Sequence, residues 1–288
     1  MLRHRSIPRV LTVTEPIKPA VAAVFDSPHS GTDYPADFNA VLNRQILRQA
    51  EDTFVDELFA QAPEFGITLL QAHFPRSYID PNRSCLDLDP SLLAEPWPDR
   101  IEPGQKVELG CGLIWRNCPP DEAIYDRLLS LDAVRNRITG YYQPYHDALT
   151  ELLDQTWDKF GRVYHVNCHS MPSLSNPQSP EGPGHRRPDF ALGDQDGKTC
   201  AAEFTELVRE TMAAMGYDVR VNDPYKGAEL VRVYSNPEQG RHSLQIEISR
   251  ALYMDEARFE KSNGFETLQR NLIKLMEVVG DFATDAPR

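Results

Sequence analysis

Two segments of this chain end in the same way, and together they constrain the fold more than any other feature. Val24-Phe25-Asp26-Ser27-Pro28-His29-Ser30-Gly31-Thr32 starts as a β-rich apolar run, breaks at a proline and delivers an imidazole among small residues. Val163-Tyr164-His165-Val166-Asn167-Cys168-His169-Ser170-Met171-Pro172 repeats the layout. In an α/β protein the strand end holds reactive groups, because the sheet fixes them while the loop beyond opens to solvent. A single histidine in that setting commonly satisfies a structural hydrogen bond. Two in the same setting point to imidazoles converging on one centre, most simply a metal.

The rest of the pattern fits such a sheet. Residues 20–25, 67–73, 163–168, 217–221 and 243–248 read as strands. Helical spacing of apolar residues runs over 43–62, 121–160, 201–215 and 256–282, with Pro144 expected to kink or divide the second of these. Residues 84–121 and 172–198 are rich in Pro and Gly, or in Pro, Gly and Asp, and read as long functional loops. The expected architecture is a single α/β domain over 21–288 with a mostly parallel or mixed sheet. A polar, Pro-punctuated arm over 1–20 is expected to lie on its surface.

At 288 residues the chain can bury a substantial core, and 41% hydrophobic with 25% charged residues is ordinary for a globular protein. The net charge of −13 argues against a nucleic-acid partner, while a local arginine cluster can still hold a small anion. Five cysteines without a CxxC pair indicate neither a disulfide framework nor a zinc ribbon. No apolar run approaches the ~20 residues of a membrane span, no apolar signal core follows the basic first residues, and a cytoplasmic protein is expected.

Several charged residues are candidates to join the two histidines. Catalytic zinc takes three protein ligands, often two His and a carboxylate, and leaves a position for water. Asp52 and Asp56, four apart in the 43–62 helix, share one helical face and are the carboxylate candidates. Glu247 lies between Ile246 and Ile248, so strand alternation turns it away from the face they share, as a general base would need. Arg76, Asn82 and Arg83 follow a strand and suit bidentate binding of a substrate carboxylate, with Arg83–Asp80 pairing as the structural alternative. Arg187, in His185-Arg186-Arg187, is either a substrate clamp or part of a surface patch. Other chemistries fit poorly: there is no G-x-S-x-G, no phosphate-binding glycine loop, and Cys168 faces away from His169.

These segments, with Pro188 to Asp194, Tyr225-Lys226-Gly227 and Gln245 to Arg250, resemble the N-formylglutamate amidohydrolase family in their order along residues 24–260. The resemblance implies a phosphorylase/hydrolase-like three-layer sandwich, similar to zinc carboxypeptidases and aspartoacylases, with helices on both faces of a mixed sheet. It implies one Zn²⁺ held by His29, Asp52 and His169, with Glu247 as general base. Arg76, Asn82 and Arg83 would bind the substrate, and a positive group near the carbonyl oxygen would come from the arginines or His242. The third residue after His29 is Thr32, so the H-x-x-E pairing of carboxypeptidases is missing, which makes Asp52 the chosen carboxylate and Asp56 the fallback. The implied reaction is hydrolysis of N-formyl-L-glutamate, a small anionic substrate, to formate and L-glutamate. Deacylation of another N-acyl amino acid or short peptide is the alternative within the class, and a non-catalytic binder of carboxylated ligands the alternative outside it.

Overall fold

The computed structural model describes residues 4–119, 121–177, 179 and 182–285. Its centre is an eight-stranded sheet formed by His4–Ile7 (β1), Leu11–Thr14 (β2), Ala23–Ser27 (β3), Thr68–Ala72 (β4), Val163–Met171 (β5), Phe190–Gly193 (β6), Val219–Val221 (β7) and Arg241–Ser249 (β8). The strand order is β1-β2-β4-β3-β5-β8-β6-β7. The pairs β3–β4, β3–β5, β5–β8 and β6–β7 are parallel, whereas β1–β2, β2–β4 and β6–β8 are antiparallel. The sheet is therefore mixed and mostly parallel, as the sequence indicated.

Helices cover both faces, which completes a three-layer sandwich. The short helices Arg44–Leu47 (α1), Val55–Leu58 (α2) and Gln105–Glu108 (α3) precede the pair Leu131–Arg137 (α4) and Gln143–Phe160 (α5). Ala202–Ala214 (α6), Glu229–Val233 (α7) and Phe265–Asp285 (α8) follow. Alternation along β3 sends Val24 into the core beneath α5 and Phe25 into the core beneath α6 and α8. In α6 the residues Phe204, Val208 and Met212, four apart, form the buried stripe that packs on the second face. Among the described residues, no helix is long and apolar enough to cross a membrane.

Four expectations about elements are corrected. Residues 4–14, expected as part of a surface arm, belong to the sheet: β1 and β2 form a hairpin, and β2 pairs along β4 with Leu11 and Val13 buried. The expected helix at 43–62 is broken into α1, two 3₁₀ turns and α2, with Phe54 at φ +67° in the break. The helical stretch at 121–160 starts only at Leu131, and a π-turn at Ile138–Tyr142 separates α4 from α5 just before Pro144. The closing helix starts at Phe265, after a small two-stranded ribbon of Met254–Asp255 and Glu260–Lys261.

Candidate metal centre

The carboxyl ends of four adjacent parallel strands meet at one place. His29 follows β3, the Arg76–Asp80 turn follows β4, His169 is near the end of β5 and Glu247 near the end of β8. In parallel register, Ser243, Gln245 and Glu247 stand beside His165, Asn167 and His169. Two polar rows thus run along one face of the sheet, while Tyr164, Val166, Cys168, Leu244, Ile246 and Ile248 pack into the apolar core of the other face.

Asp52 reaches this point because the helix breaks. Its N–H donates to the His29 carbonyl at 3.0 Å, and the Glu51 carbonyl accepts from Arg250 Nη2 at 2.6 Å, so neither group is available to a continuous helix. Gly31 lets the loop after β3 pass against the chain after β4: a Cβ there would lie 2.3 Å from the backbone carbon of His73. Asp52 Oδ2 then sits 2.9 Å from His169 Nδ1 and 3.4 Å from His29 Nδ1, all three side chains being buried. Arg250 Nη2 donates to the other oxygen at 3.2 Å.

The partners of the ring nitrogens assign the protons. His29 Nε2 lies 2.7 Å from Asp80 Oδ1, which can only accept while Asp80 is ionised, so Nε2 carries the hydrogen and Nδ1 a lone pair. Burial opposes ionisation of Asp80, but Arg76, His29 and Arg83 hold its carboxyl well below the usual range. His169 Nε2 faces Asn167 Oδ1 at 2.6 Å, and Asn167 is oriented by its own donation to Asp26 Oδ1 at 2.7 Å. His169 Nε2 therefore also carries its hydrogen and leaves a lone pair on Nδ1. Burial lowers the His169 pKa despite Asp52 beside it, so a neutral ring is favoured. The Asp52 carboxyl lies well below its ordinary value: burial opposes this, but the Arg76 guanidinium 3.9 Å away favours the charged form.

Two imidazole lone pairs and a carboxylate oxygen therefore face one another within 4.8 Å, and His29 Nδ1 is buried with no hydrogen-bond partner. A two-histidine, one-carboxylate set of this kind could hold a divalent metal. The outer contacts fit as well, since a metal-binding His usually donates its other N–H to a carboxylate or carbonyl oxygen. Behind His169 the row continues inward. Asp26 accepts from Tyr145 and from His165 Nε2, and His165 Nδ1 meets Ser243 Oγ at 2.6 Å. This Ser–His–Asp arrangement has no exposed surface, so it serves to hold Asn167 rather than to meet a substrate.

A cavity of about 250 Å³ opens over the centre, with Asp52, His169, Glu247, Arg76, Asn82 and Arg83 in its wall. Glu247 is pushed up to about 8 by burial and by the charge of Asp52, and it accepts from Gln245 Nε2 at 2.8 Å. Arg76 forks onto Asp80 Oδ2 at 2.9 and 3.1 Å, lies 3.9 Å from Asp52 and stacks over Trp115. Asp80 thus belongs to His29 and Arg76, and in place of the alternative pairing with Asp80, Arg83 Nε donates to the Cys111 carbonyl at 3.1 Å. The Asn82 side-chain oxygen Oδ1 accepts from the Leu230 N–H, and its Nδ2 donates at 3.4 Å to Asn167 Oδ1, the oxygen that accepts from His169 Nε2, which makes Asn82 a brace for that pair as well as a wall residue. Arg187 also lines the cavity, stacked over Tyr225, so it is no surface patch.

Two candidates fall outside. Asp56 does not reach the two histidines: the break at Phe54 puts it on α2, a separate element from Asp52, so the shared helical face does not exist. His242 stands at the start of β8, five residues before Glu247 or about 16 Å along the strand. It is stacked on Tyr164, and its Nδ1 accepts from the Ala201 N–H. Not singled out from the sequence were Asp80 as the partner of His29, Arg250, Asn167, Gln245 and Asp26 around the centre, and Lys106 in the cavity wall. For Asn167 and Gln245 a signal existed, since both lie on polar rows alternating along otherwise apolar strands.

The fold and this centre define a class: hydrolases built as an α/β sandwich, with a two-histidine, one-carboxylate set at the strand ends. Within it, the sequence pattern of the N-formylglutamate amidohydrolase family matches residues 21–254, and the chain belongs to that family. An N-formylglutamate amidohydrolase of Ralstonia eutropha is 45% identical and superposes with a TM-score of 0.90, covering 96% of this chain and 98% of that one. The N-formylglutamate deformylase of Pseudomonas aeruginosa is 29% identical over 240 residues, 82% of this chain and 83% of its relative. A gene product of Agrobacterium tumefaciens, 18% identical with a TM-score of 0.67 over 96% of this chain and 94% of that one, shares the fold.

Proposed function

We propose that the chain is a zinc-dependent deformylase that hydrolyses N-formyl-L-glutamate to formate and L-glutamate, with the ion held by His29, Asp52 and His169. The observation that carries the reading is the buried, unpartnered His29 Nδ1 facing Asp52 Oδ2 beside His169 Nδ1. Bound there, the ion supplies Lewis acidity and a water made acidic enough to react near neutral pH. Glu247, beside His169 in the strand register, takes the proton from the attacking water and returns it to the leaving nitrogen. Its raised pKa suits a group that must both accept and give back that proton. Arg76, held by Asp80 and Trp115, presents its positive charge to the oxygen of the formyl carbonyl as negative charge develops there. Arg83 and Arg187 add positive charge to the wall for a small anionic substrate. All five cysteines are free, which fits a reducing compartment and a cytoplasmic enzyme.

Metal analysis and formate release test the reading together. Protein prepared without added zinc should carry one divalent metal per chain, and His169→Ala should lose it. Glu247→Gln should keep the metal while turnover of N-formyl-L-glutamate falls about 10²–10⁴-fold. Unchanged metal content in His169→Ala would overturn the ligand set, and no formate from the metal-loaded wild type would overturn the substrate.

A further inference from the structure

Among the described residues, Lys106 in the cavity wall has no counter-ion. Lys106 lies on α3, inside the long excursion between β4 and α4, and lines the same cavity as Arg83. The two are tied through one residue: the Cys111 N–H donates to the Lys106 carbonyl at 2.7 Å, and the Cys111 carbonyl accepts from Arg83 Nε. Tyr142 fixes the next link by donating to the Arg83 carbonyl at 3.0 Å. Among the described residues no carboxylate stands within ion-pair distance of the Lys106 ammonium. Its charged neighbours are mainly Arg83 and Arg76, and Asp80 is already shared between Arg76 and His29. Burial and those two arginines pull its pKa down. A half-buried ammonium beside like charges is costly unless an anion completes the set.

The substrate has two carboxylates and the cavity two groups of cations. Arg187 stacks over Tyr225 in one part of the cavity wall, whereas Lys106 and Arg83 stand together in another, both tied to Cys111. The α-carboxylate lies on the carbon bonded to the reacting nitrogen, and the side-chain carboxylate lies two methylenes further away. We propose that Lys106, with Arg83, forms the subsite for the substrate's side-chain carboxylate and sets the preference for an acidic over a neutral side chain. This assignment rests on the deformylase reading above.

The test compares kcat/KM for N-formyl-L-glutamate and N-formyl-L-glutamine, which have the same shape but differ in charge. In the metal-loaded Lys106→Met variant the ratio between the two should fall about 10–100-fold, through a higher KM for the glutamate compound with kcat nearly kept. Lys106→Arg should recover part of the ratio. A ratio unchanged within twofold, or an equal loss on both compounds, overturns the subsite while leaving the deformylase reading intact. If Lys106→Met fails to fold, Lys106→Gln carries the same comparison. A wild type that releases formate from neither compound overturns the function and the subsite together.

Discussion

His146 has both ring nitrogens committed inside the protein. On α5, it donates from Nε2 to the Pro81 carbonyl at 2.9 Å and accepts at Nδ1 from the Tyr234 hydroxyl at 2.7 Å, with the Tyr142 ring stacked on it. It thus holds the turn that carries Asn82 and Arg83 to the cavity. Burial pulls its pKa down to about 4. The folded state therefore binds this proton less readily than the unfolded chain, and the stability it contributes is complete above pH 6.5 and drains away as the pH falls toward 4. Denaturant melts at pH 7 and pH 4.5 should show a loss about 2–3 kcal/mol smaller in His146→Gln than in wild type, and equal losses would refute the assignment. At this scale sequence reading succeeded where chemistry sits at a strand end: His29, His169 and Glu247 stand out because imidazoles and a carboxylate interrupt apolar runs. It failed for Asp80, Arg250 and Lys106, whose meaning depends on which distant segment passes opposite them.

The β1–β2 hairpin closes one side of the sheet. β1 is exposed along its whole length, while β2 buries Leu11 and Val13 and covers the edge of β4. Removing residues 1–14 should cost roughly 3–6 kcal/mol from those two side chains alone and leave the β4 edge open to pairing with another copy. A lowered melting temperature together with association on size-exclusion chromatography is the expected outcome; an unchanged melting temperature and elution volume would mean that the hairpin is an ornament on the sheet. Strands and long helices were legible because periods of two and 3.6 are local properties. The break at Asp52 was not. The apolar spacing of 43–62 continues through it, and the interruption is imposed by His29 and Arg250, which take the backbone groups a helix would need. The polar character of β1 and the residues Pro8, Pro16 and Pro19 read as an arm for the same reason: an edge strand exposed along its whole length has no buried period to reveal it.

Across the whole molecule, the proposed ligands come from residues 29, 52 and 169, each on a different part of the chain. An ion bound by that set can bind only the folded state. With free metal at a thousandfold its dissociation constant, the stabilisation is about 4 kcal/mol. For a chain of this size that corresponds to roughly 8–16 °C in melting temperature. A chelator should therefore lower the melting temperature of wild type by that order and leave His169→Ala unmoved; an identical response in both would separate the fold from the metal. The three-layer architecture was readable from the alternation of strands and helices, while the strand order depended on the hairpin that sequence had assigned to the surface. The excursion between β4 and α4 has a consequence of another kind. The sheet supplies the reacting groups, whereas Lys106, Cys111 and Trp115 come from a segment that adds no strand to it. The same segment also carries Arg76, Asp80 and Trp115, so only its part around Lys106 can change what the enzyme accepts while the cleaving machinery stays in place.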